Sequence, residues 1–194
     1  MENYYQKKYY KVANGSDAET FITHRQKCEM KWLENVYRNY CLDVACDLTF
    51  KQTRSVIVNG KVRHHRIDDS TAHQNVSDFL HRLNKKVYGN AYKRNGKKLD
   101  VIVSLEGGKD LMRASAETGK LLHAHISIQN PSHVKPFEFV KLIRNIWCHT
   151  FWGNARNYIT PIRTRVGRSK YMIKNTLDAW CPTLSNCNKV LRSS

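Results

Sequence analysis

Apolar and polar positions change period along the chain, and each change marks an element. Phe21, Cys28, Trp32, Val36 and Tyr40 recur at broadly helical spacing. Ser16-Asp17-Ala18-Glu19 has the form of a capping box, so a helix is predicted from about Asp17 to Tyr40. Residues 1–14, rich in Tyr and Lys, are expected to form a loose arm before it. A strand is predicted from Leu42 to Phe50. Ser55–Val58 and Val62–Ile67 flank Asn59-Gly60, which predicts a hairpin. Val76, Phe79, Leu80, Leu83 and Val87 return to helical spacing and predict a helix from about Ser70 to Tyr88, stopped by Gly89. Leu99 to Glu106 is a predicted strand before Gly107-Gly108, and Leu121 to Ile128 is a second, closed by Pro131. Pro136 suits the first turn of a helix running to about Phe151 and burying Phe139, Ile143 and Trp147, with Phe151 a further candidate for burial. Arg156 to Arg165 predicts another strand. Gly167-Arg168-Ser169 then opens a helix carrying Tyr171, Lys174, Leu177 and Asp178, and the tail from Cys181 has no clear pattern.

Strands and helices alternate, but the hairpin signal argues against an all-parallel sheet. The expected class is α+β, with one mainly antiparallel sheet and helices packed on it. At 194 residues one domain with a sizeable core is expected, and no repeat, linker or second domain appears. The anticipated layout is an arm and helix over 1–41, a core over 42–178 and a tail over 179–194.

Composition narrows the partner. Hydrophobic residues make up 41% and charged residues 25%, which favours a globular fold over disorder. Lys plus Arg number 33 against 16 Asp plus Glu, a net charge of +17. That excess favours a polyanion, nucleic acid first. The basic segments are Arg63-His64-His65-Arg66, Lys93-Arg94-Asn95-Gly96-Lys97-Lys98 and Arg163-Thr164-Arg165. No apolar run is long enough to cross a bilayer and no basic amphipathic helix stands out, so no membrane partner is expected. The opening Met1-Glu2-Asn3-Tyr4-Tyr5-Gln6-Lys7-Lys8 lacks the apolar core of a signal peptide, and an intracellular protein is the expectation.

The 6 cysteines, at positions 28, 41, 46, 148, 181 and 187, form no Cys-x-x-Cys pair. Disulfides are not expected in that setting. His24, Cys28, Cys41 and Cys46 offer zinc-ligand chemistry, but Cys28 falls within a helical pattern, and buried apolar cysteines are the preferred reading.

The chemistry concentrates in Leu121-Leu122-His123-Ala124-His125-Ile126-Ser127-Ile128. Alternate residues of a strand share a face, so His123 and His125 project together and can bind one metal. Glu106 ends the preceding strand. If the two strands pair as neighbours, one carboxylate meets two imidazoles and leaves open positions for water or substrate oxygens. The set suits Mn²⁺ or Mg²⁺ acting on a phosphate as a Lewis acid. Downstream, Tyr171 and Lys174 lie three apart on one side of a helix. A tyrosine hydroxyl, with a reference pKa of about 10, needs activation, which a neighbouring ammonium and a metal-polarised phosphate both supply. The product of its attack is a phosphotyrosine ester, which a free 3′-hydroxyl can reverse without ATP.

These motifs, in this order, resemble the HUH endonuclease superfamily, and within it the single-tyrosine rolling-circle replication initiators (Rep) of small single-stranded DNA viruses and plasmids. Asp47-Leu48-Thr49-Phe50-Lys51 is similar to the first motif, His123-Ala124-His125 to the second and Tyr171-Met172-Ile173-Lys174 to the third, over about residues 42–178. The resemblance implies an antiparallel sheet of about five strands around an RNA-recognition-motif-like core. It implies nicking of single-stranded DNA at a replication origin exposed in a hairpin. Tyr171 would keep the 5′ end and release a 3′-hydroxyl to a host polymerase, with Lys174 placing the phosphate or metal. Glu106 takes the place of the acidic ligand. No Gly-x-x-x-x-Gly-Lys-Ser/Thr motif for a helicase domain occurs, so a minimal initiator or an excised nuclease domain is expected, in the host cytoplasm or, in a eukaryote, the nucleus.

Other readings share parts of this pattern. An HUH transposase or mobilisation relaxase would use the same nicking chemistry. A non-catalytic RNA-recognition-motif-like module would bind nucleic acid through aromatic and basic residues alone. A metal-dependent hydrolase would dispense with Tyr171. Single-stranded DNA is expected to bind better than duplex, with strong salt dependence.

Overall fold

A computed structural model describes residues 8–10, 20–22, 24–40, 42–107, 121–172, 181 and 183–186. Its elements run β1 (Lys8–Tyr10), β2 (Thr20–Ile22), α1 (His24–Asn39), β3 (Val44–Phe50), β4 (Thr53–Val58), β5 (Lys61–Arg66), α2 (Asp69–Tyr88), α3 (Asn90–Asn95), β6 (Val101–Glu106), β7 (His123–Ile128), α4 (Pro136–Cys148), β8 (Gly153–Pro161) and α5 (Arg165–Met172). The class is α+β, as the alternation predicts. The main sheet has the order β6-β7-β3-β8, every pair antiparallel. Among the described residues it has four strands where the resemblance implies about five. β4 and β5 pair only with each other, because the chain leaves the sheet after Phe50.

The sheet has two unlike faces. Val44, Cys46, Leu48, Phe50, Val101, Val103, Ala124, Ile126, Ile128 and Ile159 join one buried cluster with Val76, Phe79 and Leu83 of α2 and Phe139, Ile143 and Trp147 of α4. Trp147 packs edge-on against both Phe50 and Phe79. A smaller cluster holds Leu33, Val36, Tyr37 and Tyr40 of α1 or its end with Leu42, Ile102 and Met172 of α5. Of the stripe predicted for the first helix, Val36 and Tyr40 are buried on this second face and Trp32 packs against it, whereas Cys28 is exposed and Phe21 lies in β2; α1 and α5 pack together here. That face is only partly apolar, and its polar remainder holds the site.

Most local signals hold. Asn59 and Gly60 both have positive φ, at 52° and 72°, the geometry an Asn-Gly hairpin turn requires. Asp68 caps α2 by accepting from the Thr71 N–H at 2.7 Å. Several expectations are corrected, among them the helix from Pro136, which ends at Cys148 and leaves Phe151 53% exposed. The first helix starts at His24, not near Asp17: Thr20-Phe21-Ile22 forms β2, because β-branched and aromatic residues pair well with Lys8–Tyr10 of the expected arm. The capping-box residues 16–19 lie outside the described residues. The short helix α3 follows Gly89 and ends at Gly96 with φ 63°. The last strand runs Gly153–Pro161, not Arg156–Arg165, and Arg165 opens α5. Among the described residues no helix is long and apolar enough to cross a membrane.

Candidate functional site

β6, β7 and β3 lie side by side, and their register assembles the site. Glu106 stands opposite His123, and Ser104 opposite His125. On the other edge of β7, Asp47 stands opposite His125, and Thr49 opposite His123. Directly opposed residues share a face, so Asp47, Glu106, His123 and His125 all project away from the apolar cluster. Neighbours in sequence, such as Cys46 and Ala124, point into it. The Cys46 thiol, pushed up to about 12 mainly by burial, is neither a nucleophile nor a metal ligand on this face.

The three expected ligands meet. Glu106 Oε2 lies 2.9 Å from His125 Nε2 and 3.4 Å from His123 Nε2. One ligand atom from each of the three falls within 4.8 Å of the others. The opposite ring nitrogens are occupied. His125 Nδ1 donates to Asp47 Oδ1 at 2.7 Å, and His123 Nδ1 donates to the Leu121 carbonyl at 2.7 Å. A carbonyl oxygen can only accept, so the His123 hydrogen sits on Nδ1. Both Nε2 atoms face the same carboxylate oxygen, Glu106 Oε2. A cation placed between them could draw on all three ligand atoms, and hydrogen-bonded outer nitrogens are the arrangement that orients imidazole ligands on a metal. The donor set fits a divalent ion with open coordination positions.

Two groups absent from the expected ligand and nucleophile set complete the site. Asp47 belongs to the motif expected near β3, but its partner is visible only in the register. Arg168 on α5 reaches Asp47 Oδ1 at 3.1 Å. Burial alone raises the Asp47 carboxyl, but the hydrogen bond with His125 and the Arg168 charge outweigh it and hold the group below its usual value.

α5 also carries Tyr171 to the site. Its ring packs edge-on against His125, with centroids 4.9 Å apart and an interplanar angle of 78°. The residue is 42% exposed, so the ring is not sealed into the core. Burial, then the charge of Asp47, push the phenol up; Arg168 opposes this and Glu106 adds to it. A cation bound at the triad would counter the carboxylates. Lys174 lies outside the described residues.

The basic segments divide by position. Arg63, His64, His65 and Arg66 are all exposed on β5. The root of this ribbon is tied to the histidine strand: Gln52 Nε2 donates to the Leu122 carbonyl, and the Leu122 N–H donates to Gln52 Oε1, each at 3.0 Å. The Arg54 guanidinium sits 4.0 Å from the Phe151 ring centroid and bonds the Phe151 carbonyl. Lys93, Arg94, Lys97 and Lys98 are exposed before the start of β6. β6 ends at Glu106, so they are separated from the site by about 17 Å of strand. Exposed Arg163 follows Pro161, which pairs with Val44 at that same far end. Arg165 opens α5.

Comparison with family models, curated proteins and solved structures finds no match to the chain.

Proposed function

We propose that the chain is a metal-dependent endonuclease and strand transferase acting on single-stranded DNA, with Tyr171 as nucleophile. The observation that carries this reading is the convergence of Glu106 Oε2, His123 Nε2 and His125 Nε2 beneath an exposed tyrosine ring. A Mn²⁺ or Mg²⁺ ion held by these atoms would polarise the scissile phosphate and offset its charge. Tyr171 Oη attacks phosphorus as the bond to the 3′ oxygen breaks. The phenol loses its proton and the departing 3′ oxygen gains one, so one phosphodiester is exchanged for another. The 5′ phosphate stays on Tyr171 until a 3′-hydroxyl takes it back. Lys174 assists by placing the phosphate, and the exposed β5 cations hold flanking DNA.

The order of the three motifs supports an HUH core and, within it, a rolling-circle initiator acting at an origin hairpin and passing its 3′-hydroxyl to host polymerase inside the cell. The testing experiment incubates the protein with a random single-stranded DNA library and Mn²⁺, then recovers covalent adducts under denaturing conditions. Adducts that need Mn²⁺ and share a sequence are expected. A library that yields none, at any metal concentration, refutes the covalent mechanism.

A further inference from the structure

Arg168 is a buried cation with an unusual set of partners. It is 9% exposed, although arginine is rarely found so deep unless paired. Its Nη1 reaches Asp47 Oδ1 at 3.1 Å, its Nε reaches Ser127 Oγ at 3.2 Å, and its Nη2 reaches the Ile126 carbonyl at 3.3 Å and the Cys46 carbonyl at 3.5 Å. These partners lie on β3 and β7, so one planar fork spans the two strands. Ser127 is itself held by the buried Tyr37 hydroxyl of α1. The Asp47 oxygen that receives Arg168 is the same one that receives His125 Nδ1. On its own helix Arg168 stands one turn before Tyr171, with its guanidinium carbon 5.2 Å from the centre of that ring.

We propose that Arg168 is a positioning residue that couples the nucleophile helix to the metal ligand His125. It acts through Asp47, so the inference rests on the function proposed above for this site. The fork holds the Asp47 carboxylate in one orientation. Asp47 then keeps the His125 hydrogen on Nδ1 and turns Nε2 toward Glu106. The same guanidinium seats α5, so the tyrosine and the imidazole are located by one group. A simple ion-pair role for Arg168 makes a different prediction. Deleting a cation near a metal site, with geometry unchanged, strengthens metal binding. Loss of an orienting outer partner weakens it, by about 10-fold to 100-fold.

The test compares the full chain with Arg168→Met, which keeps much of the length but no charge, and Arg168→Lys, which keeps the charge but not the fork. Three quantities are read: the imidazole nitrogen–hydrogen NMR signals without metal, Mn²⁺ affinity by calorimetry, and the rate of adduct formation with single-stranded DNA at saturating Mn²⁺. For Arg168→Met the expected results are loss of a fixed His125 Nδ1–H signal, Mn²⁺ binding weaker by about 10-fold, and adduct kcat lowered more than KM is raised. Arg168→Lys should fall between Arg168→Met and the unmodified chain. If Arg168→Met does not fold, the Lys variant carries the comparison. An unchanged Nδ1–H signal with equal or tighter Mn²⁺ binding overturns the proposal. If the unmodified chain forms no adduct, the function proposed above fails, while the NMR and Mn²⁺ measurements still decide the role of Arg168.

Discussion

Glu106 and His123 stand directly opposite each other on β6 and β7, and this register brings the carboxylate to both imidazoles of the candidate cation site. Side chains alternate with period two along a strand, so a one-residue slip would turn Glu106 into the apolar cluster and leave two imidazoles without their carboxylate. The site therefore depends on strand pairing as much as on residue identity.

A ligand that binds only the folded chain stabilises it by mass action, worth about 2.7 kcal/mol at 100 times its Kd. Mn²⁺ is expected to raise the thermal midpoint, and a chelator to reverse the rise. Glu106→Gln keeps shape but removes the carboxylate, and His125→Ala removes the buried imidazole; either should abolish the metal-dependent shift. Scanning calorimetry with and without Mn²⁺ checks this. An undiminished shift in both variants would place the ion elsewhere.

Much of this site is legible in the residues alone. Alternation within an apolar run pairs His123 with His125, and Glu106 joins them by its place at the end of the preceding strand. Asp47 and Arg168 are not legible in that way, because their contact joins residues 121 apart and no local period encodes it. The N-terminal discrepancy is local: Ser16-Asp17-Ala18-Glu19 has helix-start chemistry, yet Thr20-Phe21-Ile22 finds a strand partner in Lys8–Tyr10. α3 is hidden because Gly89 carries a stop signal, and the chain resumes a six-residue helix immediately after it.

The cap of α2 gives a pH test remote from the site. Asp68 accepts from the Thr71 backbone N–H, and that bond holds its carboxyl below the usual value. A depressed folded-state pKa contributes stability above the unfolded value, about 3.9, and loses it as pH falls through the folded one. Asp68→Ala should cost about 1 kcal/mol near neutral pH. The gap between the two proteins should narrow below about pH 4. Urea unfolding at several pH values measures it, and a gap that widens in acid contradicts the assignment.

The β4–β5 ribbon and the far-end cations should behave differently toward short DNA. Each phosphate left without its cationic side chain reduces the slope of log affinity against log salt by about 0.7 for single strands. Arg63→Ala with Arg66→Ala should weaken binding of a short oligonucleotide and flatten that slope, because the ribbon leaves the sheet at the end holding His123. Lys97→Ala with Lys98→Ala should change little on the same oligonucleotide, since these residues lie about 17 Å of strand away. Fluorescence anisotropy across a salt series separates the pairs. Equal effects would mean that DNA crosses the whole molecule.

Tyr171→Phe is the sharpest test of the chemistry. It removes one oxygen from a ring whose packing against His125 is edge-on, so the 4.9 Å ring contact and the fold should survive. Metal-induced stabilisation should survive as well, because Glu106, His123 and His125 supply the expected ligands. The covalent DNA adduct should vanish, since no other described tyrosine is shown against the two histidines; Tyr37 is buried and bonded to Ser127, and Tyr158, exposed on the same face opposite Asp47, sits on edge strand β8 with β3 between it and the histidine strand. Mass spectrometry of the denatured adduct should place the nucleotide on Tyr171. Adduct formation by Tyr171→Phe at the unmodified rate would move the nucleophile to another residue. Cleavage that persists without any adduct would make water the attacking group and reduce the tyrosine to a wall of the metal site.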